Sequence, residues 1–170
     1  MIRSDIKILV ILWVVSGLFL SVPITAKEVE DRDKDEGCFF LQTSAMTYHW
    51  NHNPERNNKQ ELIGLEYHKT SSKIYGLVHF QNSYFQPTWY LYTGKLYSFK
   101  EISDFNLYGK LTYGIISGYD DENGRHSAYM NRLGTFPAIL PTFGIGYKEF
   151  IFEVSLFGNA GYIANMGMKF

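Results

Sequence analysis

The chain is poor in the residues that build several common kinds of functional site. It has 170 residues but only one cysteine, Cys38, so neither an intramolecular disulfide nor a cluster of thiolate metal ligands can form. A formal net charge of −1 excludes the broad basic surface with which proteins bind nucleic acid. No long apolar run follows residue 26, so no later segment is expected to cross a membrane as a helix.

The N-terminus has the pattern of a secretory signal. A weakly basic start precedes an apolar run over residues 8–20, and Ala26 offers a small residue at a suitable cleavage point. The run is shorter than the ~20 residues that a spanning helix needs, and an N-terminal membrane anchor is the alternative. We therefore expect a signal peptide over 1–26, a polar N-terminal segment over 27–40 and one folded domain over 41–170.

Aromatic residues and glycine are abundant, with 13 Tyr, 13 Phe, 3 Trp and 15 Gly. From about residue 39 apolar residues recur at every second position, which predicts strands with one apolar face, and no segment has a helical period. Turn signals divide this pattern into eight predicted strands near 41–50, 61–69, 74–81, 88–98, 105–119, 136–145, 149–157 and 160–170.

The connections between these strands alternate in length, as they do in an all-β, antiparallel, up-and-down barrel with short turns at one end and long loops at the other. The predicted short turns are 70–73, 99–103 and 146–148. The predicted long loops are 51–60, the segment around 81–87, and 120–135.

Periodicity does not tell which face of such a barrel points inward, so a soluble lipocalin-like barrel is the alternative to a transmembrane one. Three features favour the membrane. The strands have the ~10 residues of a tilted span, aromatics cluster at strand ends, and the last strand finishes on Phe170 with apolar residues at alternate positions. We expect an eight-stranded transmembrane barrel in a bacterial outer membrane, acting as a monomer.

Few side chains in this sequence are of the kinds that act in catalysis or bind a metal ion. His49 and Ser83 lie at strand ends that should meet at the long-loop rim, where a histidine could take a proton from a hydroxyl. The alternative is that His49 is only a solvated histidine at the rim and Ser83 only a turn residue, because the sequence pattern would be the same. His49 and His52 make a poor metal pair, and we expect no metal and no cofactor.

Several short segments resemble the PagP family, the lipid A palmitoyltransferases of Gram-negative outer membranes. They occur in the family's order and spacing over most of residues 44–170. The segments are MTYHWNHNPERNNKQ, VHFQNSYFQPTW, FPAILPTFGIGY and the final ANMGMKF.

The resemblance implies an enzyme that moves a fatty acyl chain from a phospholipid to lipid A, which would be its two substrates. The family's catalytic histidine falls on His49 and its serine on Ser83. Its aspartate falls on Asn82, which supplies no charge but could orient the histidine or hold an oxyanion. The glycine that floors the family's acyl pocket falls on Gly94.

Two prolines, Pro137 and Pro141, each remove a ladder donor. In the family such gaps admit lipid sideways from the membrane, so both prolines are expected at a substrate entrance. The family's amphipathic N-terminal helix is not evident. Two other functions stay open from the sequence, namely a non-enzymatic barrel with an envelope or surface-interaction role and a lipid A deacylase.

Overall fold

The computed structural model describes residues 37–51, 53–69, 72–120, 133–158 and 160–170. The predicted signal peptide and most of the polar N-terminal segment lie outside these ranges. The described residues form eight strands: β1 (Cys38–His49), β2 (Ile63–His68), β3 (Lys73–Gln81), β4 (Pro87–Ile102), β5 (Phe105–Ser117), β6 (Thr135–Tyr147), β7 (Phe150–Leu156) and β8 (Gly161–Lys169). No helix among them is long and apolar enough to cross a membrane.

The strands pair antiparallel in chain order, and β1 pairs with β8, so the sheet closes into a barrel. The register from Leu41 through β2, β3 and β4 reaches Ile115 on β5. Followed the other way, through β8, β7 and β6, it reaches Phe105. The difference between positions 115 and 105 is a shear of 10 residues. Closure with such a stagger requires strands tilted by roughly 35–45° from the barrel axis.

Strand boundaries differ by more than two residues from the predicted ones in two places. β1 begins at Cys38, before the expected start at residue 41, because Phe40 is fully buried inside the barrel. β4 continues to Ile102, so the predicted turn over 99–103 shrinks to Ser103 and Asp104. A bulge between Ser98 and Lys100 lets β4 stay paired with β5 along this extension.

Large apolar side chains cover the outside of the barrel on every strand. Their exposed fractions reach 63% at Leu91 and 68% at Ile139, whereas a soluble barrel would turn such residues inward. The outward set includes Leu41, Leu65, Leu77, Leu91, Ile115, Ile139, Phe152 and Met166. This surface faces lipid. A closed antiparallel barrel with a lipid-facing exterior is how strands cross bacterial outer membranes, and the protein belongs there.

Aromatic side chains mark both rims of the apolar surface. At the long-loop end Tyr48 packs against Trp50 and Tyr162, with ring centroids 5.7 and 5.5 Å away. At the short-turn end Phe105 packs against Tyr147 at 4.7 Å. Such belts sit at the membrane–water interfaces, where an aromatic ring contacts both lipid tails and head groups.

The inside of the barrel, its lumen, has three layers. Toward the short turns lie Phe40, Tyr108 and Ile151. Above them a charged network joins three strands: Lys110 Nζ lies 2.6 Å from Glu66 Oε1 and 2.7 Å from Glu153 Oε2. The third layer, toward the long loops, is apolar and consists of Leu62, Val78, Phe80, Tyr90, Tyr92, Ile116 and Ile163.

Candidate functional site at the long-loop rim

His49 and Ser83 meet at the long-loop end of the barrel. His49 is the last residue of β1, and Ser83 lies in the turn over residues 82–86 that joins β3 to β4. His49 Nε2 lies 2.8 Å from Ser83 Oγ, and the His49 side chain is buried in the rim. The structure thus places in contact the two residues that the sequence offered as a base and a hydroxyl.

Asn58, in the loop between β1 and β2, orients the histidine. Its Oδ1 lies 3.0 Å from His49 Nδ1. With the Asn58 amide oxygen as acceptor, Nδ1 is the donor of this hydrogen bond, and in a neutral imidazole Nε2 is then the acceptor for the Ser83 hydroxyl. This is the tautomer that a general base requires.

The β1–β2 loop ties the two sides of the site together through its backbone. Asn57 N donates to Ser83 O at 3.0 Å, and Thr47 N donates to Asn58 O at 3.3 Å. Gln81 N donates to Gln60 O at 2.8 Å. The loop therefore fixes the separation of β1 from the β3–β4 turn, and with it the His49–Ser83 contact.

The hydrogen bonds of the Asn82 side chain within the described residues go to its own turn and to Gly118, and none of them reaches His49. The Asn82 side chain is fully buried and shapes the turn: Oδ1 accepts from Tyr84 N at 2.8 Å and from Gln86 N at 3.2 Å. Its Nδ2 donates to Gln86 Oε1 at 2.9 Å and to Gly118 O at 3.5 Å. Asn82 holds the turn that presents Ser83, and the orienting position beside His49 belongs to Asn58.

Chemically, the site joins an imidazole to a hydroxyl, an arrangement that is able to work as a general base and its partner. Burial, together with the neighbouring Tyr84, raises the pKa of Tyr119 to about 12, so this nearby phenol stays protonated and is not a competing base. No group of three or more metal-ligating side chains occurs within the described ranges. His52 lies outside them.

Beneath the site the lumen is apolar but narrow. A cavity of about 50 Å³ runs from Leu62 and Phe157 down to Glu66 and Lys110. This volume suits a few water molecules. Two buried acceptors in its wall, Gln60 Oε1 and Asn165 Oδ1, have no hydrogen-bond partner among the residues that the structure describes.

A gap in strand pairing lies beside this apolar half of the lumen. β6 pairs with β5 along its whole length, but its ladder with β7 runs only from Thr142 opposite Ser155 down to the short turn. Pro137 and Pro141 lie on the unpaired part of β6, on the face that points away from the lumen. Within the described residues, the part of β6 between Thr142 and the long-loop end is not paired with β7.

Gly94 is an inward position of β4 but does not line the cavity. A Cβ at this position would lie 2.3 Å from Leu111 O and 2.9 Å from Thr112 Cα, both backbone atoms of β5. The close approach of two strands explains this glycine. Its assignment to a pocket floor, which came from the resemblance, has no counterpart in the geometry of the cavity.

Sequence reasoning missed Asn58 and the charged network. Asn58 is one of several asparagines in a polar loop, and nothing local distinguishes it. Glu66, Lys110 and Glu153 did carry a signal, since each is a charged residue at an inward position of an alternating strand. Such residues are costly in a lumen unless they pair.

No protein-family model and no curated protein matches this sequence. Among solved structures, one similar chain is described as "De novo design of transmembrane beta-barrels", with 12% identity and a TM-score of 0.49, covering 82% of this chain and 100% of that one. Another is Ail, the attachment invasion locus protein of Yersinia pestis, in complex with the heparin analogue sucrose octasulfate. It has 10% identity and a TM-score of 0.35, covering 79% of this chain and 97% of Ail. These likenesses are too distant to bear on activity, and the architecture rests on the strand register.

Proposed function

We propose that this outer-membrane barrel transfers a fatty acyl chain from a phospholipid to a hydroxyl of lipid A. The observation that carries the proposal is the Asn58–His49–Ser83 chain of hydrogen bonds at the long-loop rim. A histidine that is merely solvated at the rim would need neither an orienting partner nor a hydroxyl in contact, whereas His49 has both. The resemblance to the PagP family, which covers both residues, supports the same activity.

In the proposed reaction His49 Nε2 accepts the proton of the lipid A hydroxyl, which takes over the hydrogen bond now made by Ser83. The hydroxyl oxygen attacks the ester carbonyl of the phospholipid, and a tetrahedral intermediate forms. It collapses with cleavage of the bond to the glycerol oxygen, which receives the proton from His49. The products are acylated lipid A and a lysophospholipid. Asn57 Nδ2 is buried without a partner in the same loop and is available as an oxyanion donor.

The apolar half of the lumen would hold the acyl chain, which would enter from the membrane through the gap in pairing between β6 and β7. The present cavity is too small for a fatty acyl chain, so Leu140 and Phe157, which pack against the apolar lumen beside that gap, have to move apart. Both are only partly buried, and β6 and β7 are unpaired at this height.

A second candidate, a non-enzymatic barrel with an envelope or surface-interaction role, is favoured by the narrow cavity and the charged network that fills the middle of the lumen. In that case the His49 contact would only fasten the β1–β2 loop to the β3–β4 turn. A lipid A deacylase would use the same base to activate water.

Mass spectrometry of lipid A from cells with and without the protein separates the three functions. A transferase makes lipid A heavier by one acyl group, a deacylase makes it lighter, and an inert barrel leaves its mass unchanged. The test variant is His49→Ala. The matched control is His79→Ala, since His79 packs on lipid-facing Trp89 with ring centroids 4.6 Å apart and lies outside the site.

We expect the added acyl group with the wild-type protein and with His79→Ala, and its loss with His49→Ala. Both variants should retain the heat-dependent gel migration of a folded barrel. Unchanged lipid A in the presence of folded wild-type protein would reject the transferase. An added acyl group that survives His49→Ala would reject the mechanism.

A further inference from the structure

Two lysines lie side by side on the outer wall of the barrel, where β3 begins after its short turn. Lys73, the first residue of β3, is the cross-strand partner of Lys95 on β4, and both side chains are exposed on the outward face. Side chains placed directly opposite each other have Cβ atoms about 4.5–5.5 Å apart, and like charges at that spacing destabilise a sheet. The turn adds a third cation, because Lys69 is exposed and its backbone N donates to Lys73 O at 2.8 Å.

The barrel supplies no counter-charge at this position. Neither Lys73 nor Lys95 forms an ion pair among the residues that the structure describes. On its other side Lys95 lies opposite Leu111, whose side chain is apolar. Within the described ranges, the exposed carboxylates at the short-turn end belong to the β4–β5 and β6–β7 turns and their flanks, at Glu101, Asp104 and Glu149. The wall at Lys73 and Lys95 therefore carries positive charge that an anion from outside the protein can neutralise.

An apolar groove leads from the two lysines along the outside of β4. Thr93 is the next outward residue after Lys95 toward the long loops, and its cross-strand partners are Tyr75 on β3 and Tyr113 on β5. Because threonine is much smaller than tyrosine, a furrow lies between the two rings, and the Thr93 hydroxyl already donates to Ile74 O at 2.9 Å. The furrow belongs to a groove of about 680 Å³, whose apolar wall includes Leu65, Leu77, Leu91 and Ile115. This volume is within the range of roughly 300–1,000 Å³ that is usual for small-ligand sites.

Lysines beside an apolar groove match the two parts of a phospholipid. An ammonium group binds phosphate as a point charge, and a groove holds a hydrocarbon chain through van der Waals contacts. The short turns of an outer-membrane barrel face the periplasm, so these lysines meet lipid of the inner leaflet. Because the cluster of Lys69, Lys73 and Lys95 is positive, it favours a lipid of negative net charge over a zwitterionic one.

We propose that this wall is a binding site for an anionic glycerophospholipid of the inner leaflet, such as phosphatidylglycerol. The phosphate lies between Lys73 and Lys95, and one acyl chain lies in the groove beside Thr93. The bound lipid offsets the repulsion between the two lysines and stabilises the folded barrel. The inference goes beyond the proposed acyl transfer and does not depend on it, because His49 lies at the opposite end of the barrel.

Native mass spectrometry of the folded protein in detergent measures how tightly the first lipid binds. The two probes are dioleoyl phosphatidylglycerol and dioleoyl phosphatidylcholine, which carry the same chains and differ in net charge. The test variant is Lys73→Gln/Lys95→Gln. The matched control is Lys100→Gln/Lys148→Gln, which removes two exposed lysines from the same end of the barrel, each with a carboxylate as its next residue in the chain. Thr93→Phe fills the furrow and leaves the lysines in place. Heat-dependent gel migration verifies that every variant is folded.

Wild-type protein should bind phosphatidylglycerol at least about tenfold more tightly than phosphatidylcholine, since each lysine near an anionic lipid contributes about fivefold to affinity. Lys73→Gln/Lys95→Gln should lose this preference, and the control variant should keep it. Thr93→Phe should weaken the binding of both lipids. Equal affinities of the wild type for the two lipids, a preference that survives Lys73→Gln/Lys95→Gln, or equal losses in the test and control variants overturn the inference. Unchanged binding by Thr93→Phe overturns the placement of the acyl chain.

Discussion

Replacing Lys110 by methionine should destabilise the barrel severely, because it removes the ammonium charge that two buried carboxylates share. Lys110 is 5% exposed, and its ammonium group contacts Glu66 and Glu153 at 2.6 and 2.7 Å. Methionine is similar in length and apolar, so the packing changes little. Glu153 is then left buried without a described counter-charge, and Glu66 keeps only the His68 imidazole, which lies 2.7 Å from its Oε2 and is charged only when protonated.

Breaking a buried ion pair by removing one partner costs about 3–5 kcal/mol in free energy of unfolding. The lower end of that range already corresponds to at least about a hundredfold change in the folding equilibrium. The tyrosine hydroxyls that donate to the two carboxylates, Tyr92 to Glu66 and Tyr108 to Glu153, stay in place and supply hydrogen bonds but no charge. We therefore expect a loss of about 3 kcal/mol or more.

Urea titration of the protein folded in phospholipid vesicles measures this loss. Trp50 and Trp89 lie at the long-loop rim with about half of their surface exposed to lipid, so their fluorescence reports on unfolding. The control is the triple variant Glu66→Gln, Lys110→Met, Glu153→Gln, which removes all three of these charges and keeps acceptors for both tyrosines. It should regain most of the lost stability. A Lys110→Met variant within about 1 kcal/mol of wild type would refute the view that the network is a tightly coupled ion pair.

Two further predictions concern Gly94 and Asn82. Gly94→Ala should lower the free energy of unfolding by about 2 kcal/mol or more, since its Cβ would meet β5 backbone at 2.3 Å, whereas Gly146→Ala, with its nearest atoms at 3.9 Å, should change it by less than about 1 kcal/mol. Equal effects of the two changes in the same urea titration would contradict the close-approach explanation. Asn82→Asp restores the residue that the PagP family has there, yet it should lower activity, because a carboxylate loses the Nδ2 donor and faces Gly118 O and Gln86 Oε1. Lipid A acylation that rises in Asn82→Asp would show that the turn tolerates a charge and that Asn82 acts on His49.

The strands and the lipid-facing surface could be predicted from the sequence because alternation is a local property of the pleated chain. Alternation alone places residues such as Leu91 and Ile115 on the apolar face of their strands, and the lengths of the connections placed His49 and Ser83 at one rim. The predicted strand ends were wrong where a contact inside the barrel or a bulge sets the end of the strand, as at Phe40 in β1 and at the end of β4.

The sequence by itself thus determined which residues share the apolar face of each strand, and it predicted which end carries the long loops and that a histidine and a serine lie near each other there. Only the tertiary structure decided which partners meet inside the barrel. The shear of 10 residues brings Glu66, Lys110 and Glu153 from three strands to one height, and the β1–β2 loop carries Asn58 to His49. These contacts depend on barrel closure, which staggers strands far apart in the chain, and no local pattern encodes that stagger.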